Sequence, residues 1–301
     1  MNNISAVIVA KDKPLYLLKT IDSIYDFVQE IIVIDIGIHD DLKNQLKNNK
    51  NINLIEINRN IPYVELIREE LKKYCEHEYI LYLDPDEILS SKLKQILKSN
   101  LKNYDYFLIP RKNIIFGKWI KNSRWWPDYQ VRLFKKNACI WPKEIHIQPQ
   151  TKGKEYKVEA KEEFAIVHYN YNNLDKYFEK YLRYAKAESN EYIRNKKDIS
   201  LQESIKKGLS EFISRFFANK GYQDGMHGFV LSFLQMFYYF IVYFYYWEKK
   251  KYFEVNKKEL FNSTNDYFKT GLYEVNHWKN KYINTNFFQE IKNKIVNKLL
   301  K

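Results

Sequence analysis

Three carboxylates follow an apolar run in YILYLDPDEIL, residues 79–89, where Asp84, Asp86 and Glu87 stand within four positions. Like charges this close repel one another unless water or a cation compensates them. Carboxylate oxygens on one side of a turn are ligands that hard cations such as Mg²⁺ or Mn²⁺ prefer. This spacing therefore indicates a candidate metal site that could neutralise the charge of a diphosphate.

A structural interpretation of the same residues is open at this point. Asp84 would cap a helix that begins near Pro85, and Asp86 and Glu87 would favour the positive N-terminal end of that helix. The two interpretations require different backbone conformations at the acids, because the metal site needs a turn and the capping role needs a helix.

The elements that must position these acids are predicted in the first 110 residues. Runs rich in Ile, Val, Leu and Tyr predict five strands, at 4–10, 31–36, 53–57, 79–84 and 106–110. Segments with helical spacing lie between them, at 14–28, 40–49, 63–75 and 91–101. This alternation predicts parallel strands joined by crossover helices, an α/β sandwich. Ligands of such sheets bind at the carboxyl ends of the strands, where DIGIHDD and DPDE fall.

The later part of the chain predicts two further regions. Residues 111–170 have irregular periodicity and several Trp, Gly and Pro, which indicates extended pieces and loops that wall a pocket. From Leu174 onward the pattern is helical. We therefore predict three domains, a catalytic domain at 1–172, a helical extension at 173–248 and a basic helical tail at 249–301.

An uncharged segment, GFVLSFLQMFYYFIVYFYYW at 228–247, ends beside Lys249–Lys251. Its Tyr and Trp content is typical of a helix that lies in a membrane interface, anchored by the lysines. A buried helix of the globular fold and a true membrane span are the alternatives, since the length reaches that of a span.

Charge and composition bound the choice of partner and compartment. The net charge is +13, and twelve Lys against five acids in residues 249–301 account for +7 of it. Such a surplus suits a membrane surface, nucleic acid or a phosphorylated substrate, with a solvated helical face as the alternative. Two Cys without metal or redox spacing and a start without secretory features predict a cytoplasmic protein, at the inner face of the membrane.

Several motifs together resemble a known enzyme family. SAVIVAKD, IIVIDIGIHDD and YILYLDPDE resemble, in order and spacing, the nucleotide-binding half of family 2 glycosyltransferases with the GT-A (Rossmann-like) fold. GKWIKNSRWWPDYQVRLFKK, HYNYNNLDKYFEKYLRYAKAES and FFANKGYQDGMHGFVLSF look like its lipopolysaccharide-core β-1,4-glucosyltransferase branch. The resemblance covers residues 3–248.

The resemblance implies roles for particular residues, always in the numbering of this chain. It implies donor contacts from Ala10, Asp35, Arg68, Asp84 and Asp86. It implies metal ligation by Asp84 and Asp86 with a histidine, for which His146 is preferred over His168. It implies Asp128 as the catalytic base, and it places acceptor-side candidates at Trp125, Trp126, Arg132 and Glu144. Arg132 would pair with Asp128 or with phosphate, and a plain structural ion pair is the alternative. Relatives carry Val-His-Glu where this chain has Ile145-His146-Ile147, which leaves Glu144 as the substitute carboxylate.

The implied activity is that of an inverting, Mn²⁺- or Mg²⁺-dependent hexosyltransferase. It would move a hexose from a UDP-sugar to a hydroxyl of a glycan or glycolipid in lipopolysaccharide or cell-surface glycan synthesis, or alternatively to a peptide or protein. A non-catalytic basic module that binds anionic membrane or nucleic acid is the alternative of another class. The chain has no Gly-x-Gly-x-x-Gly turn, which argues against a dinucleotide dehydrogenase, and no nucleic-acid motif, so nucleic acid is not the expected partner.

Overall fold

The structure, a computed structural model, describes residues 3–59, 61–143, 147–282 and 287–300. Its strands are β1 (Ile4–Asp12), β2 (Glu30–Ile38), β3 (Ile52–Glu56), β4 (Tyr79–Leu83), β5 (Glu87–Ile88), β6 (Tyr106–Ile115), β7 (Lys118–Trp119), β8 (Asp128–Lys135), β9 (Cys139–Ile140), β10 (Gln150–Thr151), β11 (Glu155–Lys157) and β12 (Ile166–Tyr171). Its α-helices are α1 (Leu17–Ile24), α2 (Asp40–Lys47), α3 (Glu65–Arg68), α4 (Ser91–Asn100), α5 (Leu174–Arg194), α6 (Leu201–Phe212), α7 (Met226–Lys249), α8 (Lys257–Tyr282) and α9 (Phe287–Leu300). The predicted α/β fold with a helical C-terminal region is confirmed.

A mixed sheet organises the first half of the chain. Its strand order is β3-β2-β1-β4-β8-β6-β12-β5, and β7 and β11 also pair with β6. The pairs β2–β3, β1–β2 and β1–β4 are parallel, whereas β4–β8 and β6–β8 are antiparallel. The segment predicted as irregular thus supplies β8 at the centre of the sheet and the second half of the long strand β6.

The register brings the predicted motifs to one edge of the sheet. Ala10 of β1 pairs with Asp35 of β2, and Ile8 of β1 pairs with Leu83, the last residue of β4. Because parallel strands point towards the same edge, Asp84, which follows β4, and Asp35, which lies near the carboxyl end of β2, come to the same edge of the sheet. The edge is therefore the place where ligand chemistry is expected.

Side chains of β1 alternate between two apolar layers, as the strand period of two requires. Ile8 packs in the layer that contains Leu17 of α1 and Leu93 of α4, and Val7 packs in the opposite layer with Trp141. Both layers are closed to solvent, so the central strands form a rigid base for the loops at their carboxyl ends.

Two local predictions differ from the structure. The helix predicted at 63–75 consists of the short α3 and a 3₁₀ turn at Glu70–Tyr74, and the Arg68 carbonyl accepts the Tyr82 hydroxyl (2.7 Å). The helix that Asp84 would cap is absent from this described segment, because a turn follows Asp84 and strand β5 begins at Glu87. Helix α4 begins later, and Ser90 caps it by accepting the Leu93 N–H (3.1 Å).

Contacts divide the chain into two compact units. The first comprises residues 1–119 and 125–170, and the second comprises residues 120–124 and 171–301. In the second unit, α5 and α6 both pack against α7, and Asp224 accepts the backbone N–H of Asn122 (2.8 Å). The three-domain division made from the sequence stays a prediction.

Candidate functional site

The DPDE segment forms a tight turn between β4 and β5. The Glu87 N–H donates to the Asp84 carbonyl (3.1 Å), and the Asp84 N–H donates to the Glu87 carboxylate (3.0 Å). From β12, the Tyr169 N–H donates to the Asp86 carbonyl (2.9 Å). These bonds fix the backbone, so the three carboxylates of the turn have defined directions.

Arginines compensate the crowded carboxylates. Glu87 is fully buried, and its Oε1 accepts hydrogen bonds from Arg111 Nη1 (3.1 Å) and Arg132 Nη2 (2.7 Å). Arg132 also donates to Asp84, so the structure places it in a buried ion pair with Asp84 and Glu87 and not beside Asp128. Guanidinium groups thus supply positive charge that compensates Asp84 and Glu87, a contribution that the sequence did not indicate.

A third arginine faces the same turn. Arg68 Nη2 lies 3.6 Å from Asp84 Oδ1, and the guanidinium lies over the Trp141 ring, 4.7 Å from its centroid. Burial alone would raise the pKa of Asp84, but Arg132, Arg68 and Arg111 outweigh burial and hold this pKa well below its ordinary value. Asp84 is therefore ionised at neutral pH, and Arg68 is close to the predicted donor site.

Asp86 faces a histidine from the neighbouring part of the sheet. His168 in β12 is buried, and its Nε2 lies 3.5 Å from Asp86 Oδ1. Its other nitrogen, Nδ1, lies 2.6 Å from Asn113 Oδ1. The Asn113 amide donates through Nδ2 to the Trp125 carbonyl and to the Asp128 carboxylate (both 3.1 Å), which orients Oδ1 towards His168. His168 therefore carries its proton on Nδ1, and in the neutral ring the lone pair of Nε2 is on the side of Asp86.

These donors fit a divalent cation. Within the described ranges, Asp84, Glu87 and His168 form a group whose ligand atoms lie within 4.8 Å of one another, and Asp86 is beside it. Two members of this group already accept hydrogen bonds from arginines, Glu87 from Arg111 and Arg132 and Asp84 from Arg132. Carboxylates suit Mg²⁺ and Mn²⁺, and an imidazole shifts the preference towards transition metals. The group of Asp84, Glu87 and His168, with Asp86 beside His168, thus offers ligand types that Mn²⁺ accepts.

Asp128, the predicted base, begins β8 and receives four hydrogen bonds. Its Oδ2 accepts from Arg111 Nε (2.9 Å), Arg111 Nη2 (2.6 Å) and Asn113 Nδ2 (3.1 Å), and its Oδ1 accepts from Gln130 Nε2 (2.8 Å). Burial would raise the pKa of Asp128, but Arg111, Asn113 and Gln130 lower it below the ordinary value. An ionised carboxylate of low pKa with several donors is a weak proton acceptor. The geometry favours a positioning role, and the catalytic role stays a prediction.

Asp35 and Ala10 pair with each other near the carboxyl ends of their strands, and both are buried. The Asp35 carboxylate accepts the N–H groups of Gly37 (2.8 Å) and Ile38 (2.7 Å) and contacts Lys43 Nζ (2.9 Å). Gly37 has a φ of +118°, which glycine adopts without strain. These bonds outweigh burial and lower the pKa of Asp35, so the carboxylate is ionised and held by its own loop. Its contact with a donor base stays a prediction.

The tryptophans fall into two groups. Trp125 and Trp126 are half-buried, and Trp126 meets Trp119 edge to face with ring centroids 5.2 Å apart. Trp141 is buried and packs against Tyr82. The first group is compatible with an acceptor platform, whereas Trp141 is a core residue beneath Arg68.

Two candidates lie outside the described residues. Glu144, the substitute carboxylate, and His146, the preferred histidine ligand, both fall in the gap at 144–146. His168, the less preferred histidine, is the one that the structure places beside Asp86.

Sequence reasoning missed Arg111 and Asn113. They stand two positions apart in the strand sequence PRKNII, so they share one face of β6. A charged residue and an amide on the same face of an otherwise apolar strand were the available signal, because buried polar groups need partners.

No protein-family model matches the chain. Similar solved structures include a mannosyltransferase, PcManGT from Pyrobaculum calidifontis, in complex with GDP-Man and Mn²⁺, at 10% identity, covering 82% of this chain and 88% of that one, with a TM-score of 0.48. S. aureus TarS 1–349 in complex with UDP matches at 15% identity over 99% of this chain and 90% of its own, with a TM-score of 0.42. The 4-diphosphocytidyl-2C-methyl-D-erythritol synthase of Anaerococcus prevotii matches at 17% identity over 58% and 93%, with a TM-score of 0.37. At these identities and scores, function is inferred from the side chains of this chain alone.

Proposed function

We propose that the chain is a metal-assisted glycosyltransferase that moves a hexose from a nucleotide sugar to a hydroxyl acceptor. One observation carries the proposal. The carboxylate of Asp86 and the buried imidazole of His168 meet at 3.5 Å where β4 ends, beside the ionised Asp84. Such a donor set at the carboxyl edge of a parallel sheet suits a cation that holds a diphosphate.

Asp84, Asp86 and His168 would hold Mn²⁺ or Mg²⁺. When bound, the ion would neutralise negative charge on the diphosphate as the nucleotide leaves. Asn113 keeps the proton of His168 on Nδ1, so that Nε2 is the nitrogen available as a ligand. We therefore assign the imidazole ligand to His168, in place of the preferred His146.

The donor would lie along the ends of β1 and β2. Ala10 and Asp35 would border the nucleoside, and Arg68 would contribute positive charge near the phosphates. More specifically, we propose that the nucleotide is UDP and that the anomeric carbon is inverted. The acceptor would be a glycan or glycolipid of lipopolysaccharide or cell-surface glycan synthesis, and the reaction would take place in the cytoplasm. A peptide acceptor is the competing assignment.

Deprotonation of the acceptor requires a base, and Asp128 is poorly suited to that role. We expect Asp128→Asn to lower the free energy of unfolding, because the buried Arg111 loses one of its charged partners. We expect Glu144→Gln to lower kcat by about 10²–10⁴-fold with an unchanged melting temperature. Initial rates and thermal melts of both variants, with the exposed Glu163→Gln as control, test the assignment. A fully active Glu144→Gln, together with a stable and inactive Asp128→Asn, would return the base role to Asp128.

Ligand-dependent stability tests the proposal as a whole. We expect a nucleotide sugar to raise the melting temperature only with Mn²⁺, because a ligand that binds the native state alone stabilises it, by about 2.7 kcal/mol at 100 times its Kd. The measurement is a thermal-shift screen of UDP-glucose, UDP-N-acetylglucosamine and GDP-mannose, with Mn²⁺ or with EDTA. Equal melting temperatures in every condition would contradict the proposal. Binding of DNA with a steep salt dependence and no nucleotide-sugar effect would favour the non-catalytic module.

A further inference from the structure

Helix α7 has two different sides. One side is buried against neighbouring elements of the second unit, as the Tyr181 hydroxyl bond to the Leu234 carbonyl (3.0 Å) illustrates. Buried positions of α7 are Gly228, Leu231, Ser232, Met236, Val242, Tyr243 and Tyr246. Among the described residues, α7 is long and apolar enough to cross a membrane by length and composition, and 33% of that apolar window is buried. The buried side shows that α7 is integrated into the helical unit.

Another side of α7 exposes two groups of large apolar side chains, which are separated by the half-buried Phe240 and are here together called the aromatic stripe. Its members are Met226, Phe229, Phe233, Phe237, Phe244 and Trp247, with exposed fractions from 36% to 70%. At 100° per residue these positions fall within about 80° of arc on one side of the helix. In the N-terminal group the ring of Phe233 contacts those of Phe229 and Phe237, with centroids 5.6 Å and 5.2 Å apart. Phe229 and Phe233 also meet Phe212 of α6 edge to face. An exposed apolar row of this length marks an interaction surface.

Positive charge adjoins the C-terminal end of the aromatic stripe. Lys249, Lys250 and Lys251 follow Trp247 and Glu248 directly, and all three are exposed. Residues 249–301 carry a net charge of +7. The partner of the stripe must therefore accept both large apolar rings and a local excess of positive charge.

We propose that the aromatic stripe docks onto an anionic lipid bilayer, with α7 lying in the plane of the interface. Aromatic rings favour the boundary between headgroups and acyl chains, and lysines beside them attract anionic lipids. A second copy of the chain is a poorer occupant, because two tails of the same charge repel each other. Docking needs neither nucleotide nor metal, so it stands apart from the proposed transferase activity.

Cosedimentation with vesicles tests the docking in the full chain. We expect wild-type protein to pellet with phosphatidylglycerol/phosphatidylethanolamine vesicles and to bind far less to phosphatidylcholine alone. Phe237→Gln with Phe244→Gln should weaken the partition coefficient at least about tenfold, because two aromatic rings that would enter the bilayer are removed. Lys249→Glu with Lys251→Glu should weaken it about tenfold on anionic vesicles only, and 1 M salt should have a similar effect.

A matched control separates the stripe from general surface hydrophobicity. Leu15 and Ile140 are exposed apolar residues of the first unit, so Leu15→Gln with Ile140→Gln should leave vesicle binding unchanged. The exposed lysine pair keeps the test informative if the phenylalanine pair does not fold. Wild-type protein that stays in the supernatant with anionic vesicles overturns the proposal. The proposal is also overturned if the wild type is a dimer and the Phe237→Gln, Phe244→Gln variant is a monomer, because a second copy of the chain would then cover the stripe.

Discussion

Asp86→Ala is expected to abolish Mn²⁺-dependent binding of the nucleotide sugar and to lower the transfer rate by on the order of 10³-fold. A bound cation contributes several kcal/mol of charge stabilisation, and each 1.4 kcal/mol changes a rate tenfold. Asp86 is the carboxylate beside His168. A melting temperature equal to that of the wild type would show that the loss comes from the site and not from unfolding. Free Mn²⁺ measured by electron paramagnetic resonance, the melting temperature and initial rates check these expectations.

Asn113→Ala tests the same cation site, with a smaller expected effect than Asp86→Ala. Loss of the amide that orients His168 Nδ1 should weaken Mn²⁺ binding by roughly 10–100-fold, the usual effect of removing a group that orients a metal ligand. Asn100→Ala is the matched control, because the Asn100 amide donates only locally, to Ile96 and Ser99 in α4. Mn²⁺ affinity of Asp86→Ala equal to that of the wild type would refute the proposed cation site.

The parallel part of the sheet could be predicted from local pattern. Each of β1, β2 and β4 is an apolar run followed by a polar turn, so the position of Asp35 and Asp84 at one edge follows from the strand–helix alternation.

The predicted helix at 63–75 was wrong in its extent, because tertiary contacts act on it. Tyr82 bonds the Arg68 carbonyl, and Glu69 accepts the Trp141 N–H (2.9 Å).

The polar network could not be predicted, because antiparallel pairings join its members across long stretches of sequence. Arg132 of β8 reaches Glu87 from 45 positions away, and His168 of β12 reaches Asn113 of β6 from 55 positions away. Register between such strands depends on the packing of the whole sheet. Types and spacing of residues identified the carboxylates, but the groups that neutralise them emerge only from the three-dimensional arrangement.

Glu87→Gln is expected to lower the free energy of unfolding by about 3–5 kcal/mol, the effect of breaking a buried ion pair. Glu87 is fully buried between Arg111 and Arg132, and Gln keeps its shape while removing the charge. The two guanidinium groups would then share Asp84 and Asp128 as their charged partners among the described residues. Urea denaturation at pH 7 provides the measurement.

Glu78→Gln is the matched control, because Glu78 is exposed and pairs with Lys135 at 3.5 Å, an arrangement that contributes at most about 1 kcal/mol.

The pH dependence of stability adds an independent check. The folded-state pKa values of Asp84 and Asp128 lie below the unfolded value of about 3.9, so their stabilisation is complete above that pH and is lost as the pH falls through the folded values. Wild-type stability should therefore decline below about pH 4, because these carboxylates then take up protons in the unfolded chain while the folded chain keeps them ionised. If Glu87→Gln unfolds at the same urea concentration as Glu78→Gln, the arginine network does not hold this edge of the sheet together.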